Sequence, residues 1–141
     1  MTNQTEKISK ETFVKRLVTL LVKSGLSEFP KNKNDQLIIL QSVLLTFKGA
    51  KKLTEKEVNE QIDTWIRGVG QVNYIDRVSI RRLLIDYGFL ERAKDGSVYS
   101  LVEPQPYAEL FADEINEVQV FEELERAREE IRSKRERYQA K

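Results

Sequence analysis

The order of the helical segments and of a single hairpin constrains the fold of this chain most. Apolar residues repeat at helical spacing in four successive segments, and a glycine follows each of them. Residues 89–93 and 97–102 are strand-like and flank Asp95 and Gly96, a pair that favours a type I′ turn. Helices followed by a two-stranded hairpin have the order of a winged helix, in which residues 55–66 support a presented helix at residues 76–87.

The sequence therefore predicts a mainly α protein. Its centre would be a winged helix-turn-helix at residues 29–102, with a C-terminal β-hairpin as the wing. An N-terminal helix in residues 1–28 and a long C-terminal helix in residues 103–141 would flank this domain. One hydrophobic core is expected, because 141 residues with a charged share of 33% leave little apolar material for a second.

Several residues carry the signals of helix starts and of the core. Thr54 and Glu57 have the spacing of a capping box, which starts the third helix at the next residue after Thr54. Asn34 is expected to cap the second helix. Trp65 lies at helical spacing from apolar neighbours, and we expect it in the core rather than in a platform for stacking bases.

The C-terminal segment has an apolar stripe of its own. The pattern from Tyr107 to about Tyr138 predicts one long helix. An apolar stripe on an isolated surface helix is unfavourable, so it needs a partner, either the N-terminal helix of the same chain or a second chain. We expect a homodimer on this ground. The stripe consists of Leu110, Ile115, Val118, Phe121, Leu124 and Ile131.

The composition excludes several classes of active site. The chain contains no His and no Cys, so it has no Ser-His-Asp or Cys-His nucleophile, no thiol redox couple and no His/Cys zinc site. We expect no enzymatic activity, no metal and no cofactor. Residues 1–10 are polar, and the longest apolar stretch is far shorter than the roughly 20 residues that span a bilayer, so we expect a cytoplasmic protein without membrane contact.

Basic residues point to a polyanionic partner for the winged helix. Residues 1–102 contain 17 Lys+Arg and 12 Asp+Glu, whereas residues 103–141 contain 7 and 11. In a DNA-binding winged helix, cations lie near the N-terminal half of the presented helix, and the wing contacts phosphate. We therefore predict a transcriptional regulator that binds double-stranded DNA. The predicted contacts are Arg77, Arg81 and Arg82 on the helix, Lys94 and Ser97 on the wing, and Lys31, Lys33, Lys51 and Lys52 at phosphates.

Local pairing offers these cations a different role. Pairing with Asp86, four residues on, is the favoured role of Arg82, and Arg92 can pair with Glu91 or Asp95. Arg77 and Arg81 are the preferred DNA contacts, because two like charges four residues apart favour an anion between them. The alternative function is a non-catalytic module that binds a protein partner, or itself, without nucleic acid. This alternative is favoured if acidic neighbours hold the first two arginines of the presented helix, or if the terminal helix covers them.

Several motifs together resemble a bacterial domain of unknown function. They are TEKEVN at residues 54–59, Asp76 followed by IRRL at residues 80–83, DYGFLER at residues 86–92, and Tyr99. Domains of this kind occur alone or fused to an ArsR-type DNA-binding domain in predicted transcriptional regulators. The resemblance covers about residues 29–101 and implies a winged-helix-like fold with a role at nucleic acid.

Overall fold

The computed structural model describes residues 7–23, 29–47, 51–69 and 76–139 of the chain. Helices dominate these residues, which confirms the mainly α class, and three short strands form one antiparallel sheet. Gly25 and Gly49, which were expected to follow the first two helices, lie outside the described residues. The α-helices are α1 (Lys10–Val18), α2 (Lys33–Leu45), α3 (Glu55–Val69), α4 (Arg77–Asp86) and α5 (Val120–Gln139), and the strands are β1 (Lys52–Leu53), β2 (Leu90–Arg92) and β3 (Tyr99–Leu101). A short π-helix (Thr19–Lys23) continues α1.

Side-chain caps define where α2 and α3 begin. The capping box of α3 is confirmed, because the Glu57 N–H donates to Thr54 Oγ1 at 3.1 Å and the Thr54 N–H donates to Glu57 Oε1 at 2.8 Å. The predicted cap of α2 at Asn34 is wrong. Asn32 has the extended backbone of a cap, and its side chain accepts the Asp35 N–H at 3.1 Å, so α2 begins one residue before Asn34.

Strand β1 is an element that the sequence pattern did not predict. It pairs antiparallel with β3, which places Lys52 opposite Ser100 and Leu53 opposite Tyr99. The hairpin strand β2 pairs with the other edge of β3, so the sheet has the order β1-β3-β2. The sheet thereby ties the segment before α3 to the hairpin that follows α4.

The loop between β2 and β3 differs from the predicted type I′ turn. The Ala93 N–H donates to Val98 O at 2.8 Å, so four residues, 94–97, form the loop instead of two. Gly96 has a φ of +76°, and its N–H donates to Ala93 O at 2.8 Å. The longer loop is stabilised by Asp95 Oδ1, which accepts from the N–H of Ser97 at 2.9 Å and from its hydroxyl at 2.7 Å.

A single hydrophobic core joins the three parts of the chain. Trp65 is completely buried, as expected, and its indole N–H donates to the hydroxyl of Ser42 on α2 at 3.0 Å. The same core includes Phe13 and Leu17 of α1 and Leu124 of α5. The helices that flank residues 29–102 are thus part of the packed core and not separate appendages.

The prediction of one long helix from residue 107 is wrong. Only α5, which begins at Val120, is a continuous helix, and a short 3₁₀-helix (Asp113–Glu117) precedes it. The backbone of Leu110 and Ala112 is instead engaged by Ile8, whose N–H donates to Leu110 O at 2.8 Å and whose carbonyl accepts the Ala112 N–H at 2.9 Å. Ala112 and Val118 are extended, which separates the 3₁₀-helix from its neighbours on both sides.

Candidate nucleic-acid interface

Helix α4 packs against α3 and exposes most of its first turn. Its residues Ile80 and Leu84 are fully buried. Their spacing of four residues defines the inner face of α4, so residues on the opposite side of the helical projection point outward. The exposed side chains of α4 are those of Arg77, Val78, Ser79, Arg82 and Asp86.

An aspartate fixes the start of α4. Asp76 Oδ1 accepts the backbone N–H of Ser79 at 2.7 Å. This hydrogen bond, followed by one from the Ser79 hydroxyl, lowers the pKa of Asp76 below its usual value of 3.8. The carboxylate is therefore charged at neutral pH and holds the first turn of α4 in place.

Two of the three predicted arginines of α4 are bound by side chains of α3. Arg77 forms an ion pair with Asp63, with 2.9 Å between Nη1 and Oδ2. Arg81 donates a hydrogen bond from Nη1 to Oδ1 of Asn59. Asn59 and Asp63 lie one turn apart on α3, as do the two arginines on α4, so the contacts repeat along the junction of the two helices. One of these partners is acidic and the other is neutral.

Arg82 differs from its two neighbours. No carboxylate within the described ranges lies within 4.0 Å of its guanidinium group, so the predicted pair with Asp86 is not formed there. Its positive charge does act on Asp76, where it is the smallest of the causes that lower the pKa of that carboxyl. Arg82 is therefore an exposed cation on the outer face of α4.

The hairpin loop presents a second group of polar side chains. Lys94 and Ser97 are both exposed at its tip, as the sequence predicted. The Ser97 hydroxyl is engaged by Asp95, and this bond is the first of the causes that lower the pKa of Asp95. Arg92 lies across the loop, with Nη2 only 2.6 Å from the point where a Cβ on Gly96 would be.

Arg92 is a further basic residue of this surface, although its neighbours in the sequence predict only local pairing with Glu91 or Asp95. The register places it opposite Tyr99 on the next strand. Burial and a hydrogen bond from the Tyr99 hydroxyl to Glu55 Oε1, at 3.0 Å, raise the pKa of Tyr99, while the charges of Arg81 and Arg92 oppose the shift. Arg81 of α4 and Arg92 of β2 therefore both lie near the Tyr99 hydroxyl. The position of Arg92 on this surface depends on the strand register, which the sequence alone did not predict.

The four predicted phosphate-binding lysines are exposed but lie in different places. Lys33 Nζ is 5.7 Å from the centre of the Tyr107 ring, and that ring packs against Tyr87 at the C-terminal end of α4. Because α4 has ten residues, this end is about 15 Å from its first turn. Lys52 shares the outer face of the sheet with Ser100. The four residues are Lys31, Lys33, Lys51 and Lys52.

Half of the predicted dimer stripe is buried within the chain itself. Ile115, Val118 and Leu124 are buried, and α5 packs against α1 and α3. The packing on the N-terminal helix, one of the two alternatives for this stripe, is thus present within one chain. Leu110 and Phe121 are partly buried against the same core, and Ile131 is partly buried.

Neither a metal-binding cluster nor a membrane-spanning helix is present in the described ranges. No group of three or more Asp or Glu side chains there is arranged to hold a metal ion. No described helix has the length and apolar character needed to cross a membrane.

Comparison with known proteins places the central part of the chain in a family. The profile of a family described as "uncharacterized protein conserved in bacteria" (DUF2087) matches residues 25–101, which is more than half of the chain. The resemblance to a bacterial domain of unknown function is thereby confirmed. Neither a curated protein nor a solved structure matches the chain significantly. All nine predicted DNA contacts lie within the matched range, and α5 lies outside it.

Proposed function

We propose that this chain, which belongs to the DUF2087 family of uncharacterised bacterial proteins, is a winged-helix protein that binds double-stranded DNA as a transcriptional regulator. In the proposed complex α4 enters the major groove and the β2–β3 hairpin contacts the phosphate backbone. The order of elements from α2 to β3 supports this fold assignment. A winged helix has one strand between its first two helices and a hairpin after its third, which is the order of α2, β1, α3, α4, β2 and β3.

The observation that carries the proposal is the outer face of α4. Arg82 is exposed there and is not engaged by an acidic side chain of the described residues. A guanidinium group in this position is suited to guanine O6 and N7 or to a phosphate, since it offers paired donors in a fixed plane. Lys94 at the tip of the hairpin supplies an exposed cation for the adjacent backbone.

The ion pair of Arg77 with Asp63 does not prevent this role. The two side chains are 50% and 34% exposed, and pairs of this kind are worth only about 0 to 1 kcal/mol because water screens them. A DNA phosphate offers a stronger, charge-assisted contact. Arg81 donates one of its five N–H groups to Asn59, so the other four can donate to DNA.

A second candidate function rests on the same contacts. Arg77 is held by an acid and Arg81 by an amide, so two of the three predicted DNA contacts already have partners within the chain. This observation favours a non-catalytic module that binds a protein or a second copy of itself. The fusion to ArsR-type DNA-binding domains that the resemblance implies would suit either role.

Fluorescence anisotropy with a labelled mixed-sequence duplex tests the proposal. We expect binding at about 50 mM salt that weakens linearly on a plot of log K against log salt concentration. Arg82→Gln should reduce the slope by about 0.9, the value for one lost phosphate contact, or reduce discrimination among sequences if Arg82 contacts a base. Binding weaker than about 100 μM at low salt would remove the proposal, since ordinary non-specific binding is tighter.

The matched control is Lys134→Gln, which removes one exposed positive charge from α5. Net charge changes by the same amount in both variants, so a surface that binds DNA specifically through α4 responds only to Arg82→Gln. An equal loss in both variants would indicate attraction by overall charge alone.

We also propose that the chain forms a homodimer, through the outer part of α5. The apolar residues in the first turns of α5 are buried within the chain, so the dimer would use the second half of this helix. There, Ile131 is partly buried and Tyr138 is 79% exposed. Sedimentation of the complete chain beside the variant Ile131→Glu tests this. We expect a dimer at tens of micromolar that the variant dissociates, and a monomer in both samples would refute it.

A further inference from the structure

The first turn of α4 exposes an apolar side chain among polar ones. Val78 is 47% exposed and is one of two large hydrophobic residues that are exposed in the described ranges, the other being Tyr138 near the end of α5. It occupies the second position of α4, after the cap Asp76 and Arg77. Val78 lies outside the buried face of the helix, which Ile80 and Leu84 form.

The neighbours of Val78 are mostly engaged by other groups of the chain. Ser79 donates its N–H to Asp76 at 2.7 Å, and its hydroxyl bonds to the same carboxylate. Arg77 is paired with Asp63 at 2.9 Å. On the exposed face of the first turn and a half, Val78 and Arg82 are therefore the side chains for which the described residues supply no polar or ionic partner.

Val78 and Arg82 are also neighbours in space. Residues four apart on a helix lie on the same face, with Cβ atoms about 5–6 Å apart. Successive base pairs in DNA are separated by about 3.4 Å along the axis, so two such side chains reach adjacent base pairs when the helix lies in the major groove. There, the C5-methyl group of thymine is the apolar feature, and guanine offers the paired acceptors that suit arginine.

We infer that Val78 is a specificity-determining residue, which contacts the C5-methyl group of a thymine next to the guanine that Arg82 contacts. The inference rests on the proposed DNA binding by α4 and adds the kind of sequence that is preferred. It predicts that duplexes selected from a random pool contain a thymine beside a guanine at a fixed position. Loss of the methyl contact is expected to cost about fourfold in affinity, the equivalent of about 0.8 kcal/mol for one buried CH₂ group.

Replacement of thymine by uracil in the selected duplex tests the contact directly, because it removes only the methyl group. We expect the exchange at the predicted position to weaken binding by the unaltered chain about fourfold and to leave the variant Val78→Ala unaffected. The control on the DNA is the same replacement at a thymine that lies outside the predicted thymine–guanine step. Gln119→Ala, which truncates an exposed side chain outside α4, the hairpin and the proposed dimer surface, is the control on the protein.

The outcomes separate this inference from the proposed function. Salt-dependent binding to duplexes with no effect of the uracil exchange, or with an equal effect in Val78→Ala, would overturn the role of Val78 and leave DNA binding in place. No binding to any duplex in the pool at low salt would overturn both. Because Val78 is exposed, its substitution by Ala does not disturb the core, and circular dichroism confirms this before the binding is measured.

Discussion

At the scale of single residues, Gly68 shows how closely α5 approaches α3. A Cβ at this position would lie 2.1 Å from Cε1 of Phe121 and 2.3 Å from its Cδ1. No side chain larger than hydrogen fits unless the ring moves. The close ring explains why glycine occupies this position in the last turn of α3, although alanine favours a helix by about 1 kcal/mol.

We predict that Gly68→Ala destabilises the chain. The overpacking costs about 1 to 3 kcal/mol, which exceeds the gain in helix propensity. Urea unfolding of the single variants and of Gly68→Ala with Phe121→Ala measures the coupling between the two sites. Phe121→Ala removes the ring. In that background, Gly68→Ala should leave the free energy of unfolding unchanged or raise it. Additive effects would contradict the contact.

The cap of α4 gives a prediction about pH. The pKa of Asp76 is lowered in the folded chain, chiefly by the Ser79 N–H, from a usual value of 3.8. A lowered pKa contributes stability that is present above the unfolded value and is lost as pH falls through the folded value. Asp76→Asn keeps an acceptor but has no charge to titrate.

We therefore expect the melting temperature of Asp76→Asn to lie below that of the unaltered chain at pH 7, and the gap to narrow as pH falls from about 4 towards 2. Thermal unfolding followed by circular dichroism across this range checks it. A gap that does not change with pH would mean that the charge of Asp76 does not stabilise α4.

At the scale of elements, the junction of α3 and α4 decides how far the arginines are available to DNA. Asp63 holds Arg77 at 2.9 Å and adds a negative charge next to the proposed interface. We predict that Asp63→Asn raises the affinity for duplex DNA by up to about fivefold, the equivalent of a surface ion pair of about 1 kcal/mol. The measurement is the same anisotropy titration at low salt.

Glu130→Gln is the matched control for this prediction, because it removes an exposed negative charge from α5. Asp63→Asn should raise the affinity more than the control does. If both variants raise it equally, only the net charge of the chain matters. If Asp63→Asn lowers the affinity, the ion pair positions Arg77 for its contact instead of competing with the DNA.

The elements also show what sequence patterns can and cannot predict. The capping box of Thr54 and Glu57 and the burial of Trp65 were predictable, because both depend on residues close together in the chain. Strand β1 was not, since it has two residues and exists only through pairing with Tyr99 and Ser100 far along the chain. A strand this short has no periodicity to detect.

The same distinction applies to the candidate site. The exposure of Arg82 and Lys94 could be predicted from the helical repeat and the hairpin signal. The pair of Arg77 with Asp63 could not, because the two residues are 14 positions apart and meet only when α3 and α4 pack. Arg92 was missed for a similar reason, since its position depends on the register between β2 and β3.

At the scale of the whole molecule, the flanking segments complete the core of the central domain. Leu124 of α5 is fully buried in the same core as Phe13 of α1, so neither flank can be removed without exposing apolar surface. The predicted long helix failed here because Ile8 engages the backbone of residues 110 and 112, a tertiary contact that overrides local helix propensity. Tests of function therefore require the complete chain.

In the proposed complex, α4 and the β2–β3 hairpin together form the DNA-binding surface. Titration of the ¹⁵N-labelled complete chain with a duplex at low salt, followed by NMR, tests it most directly. We expect the backbone amide shifts of residues 77–82 and 94–97 to change first and those in the second half of α5 to stay unchanged. Shifts confined to α1 or α5, or no shift at all in the presence of excess duplex, would contradict it.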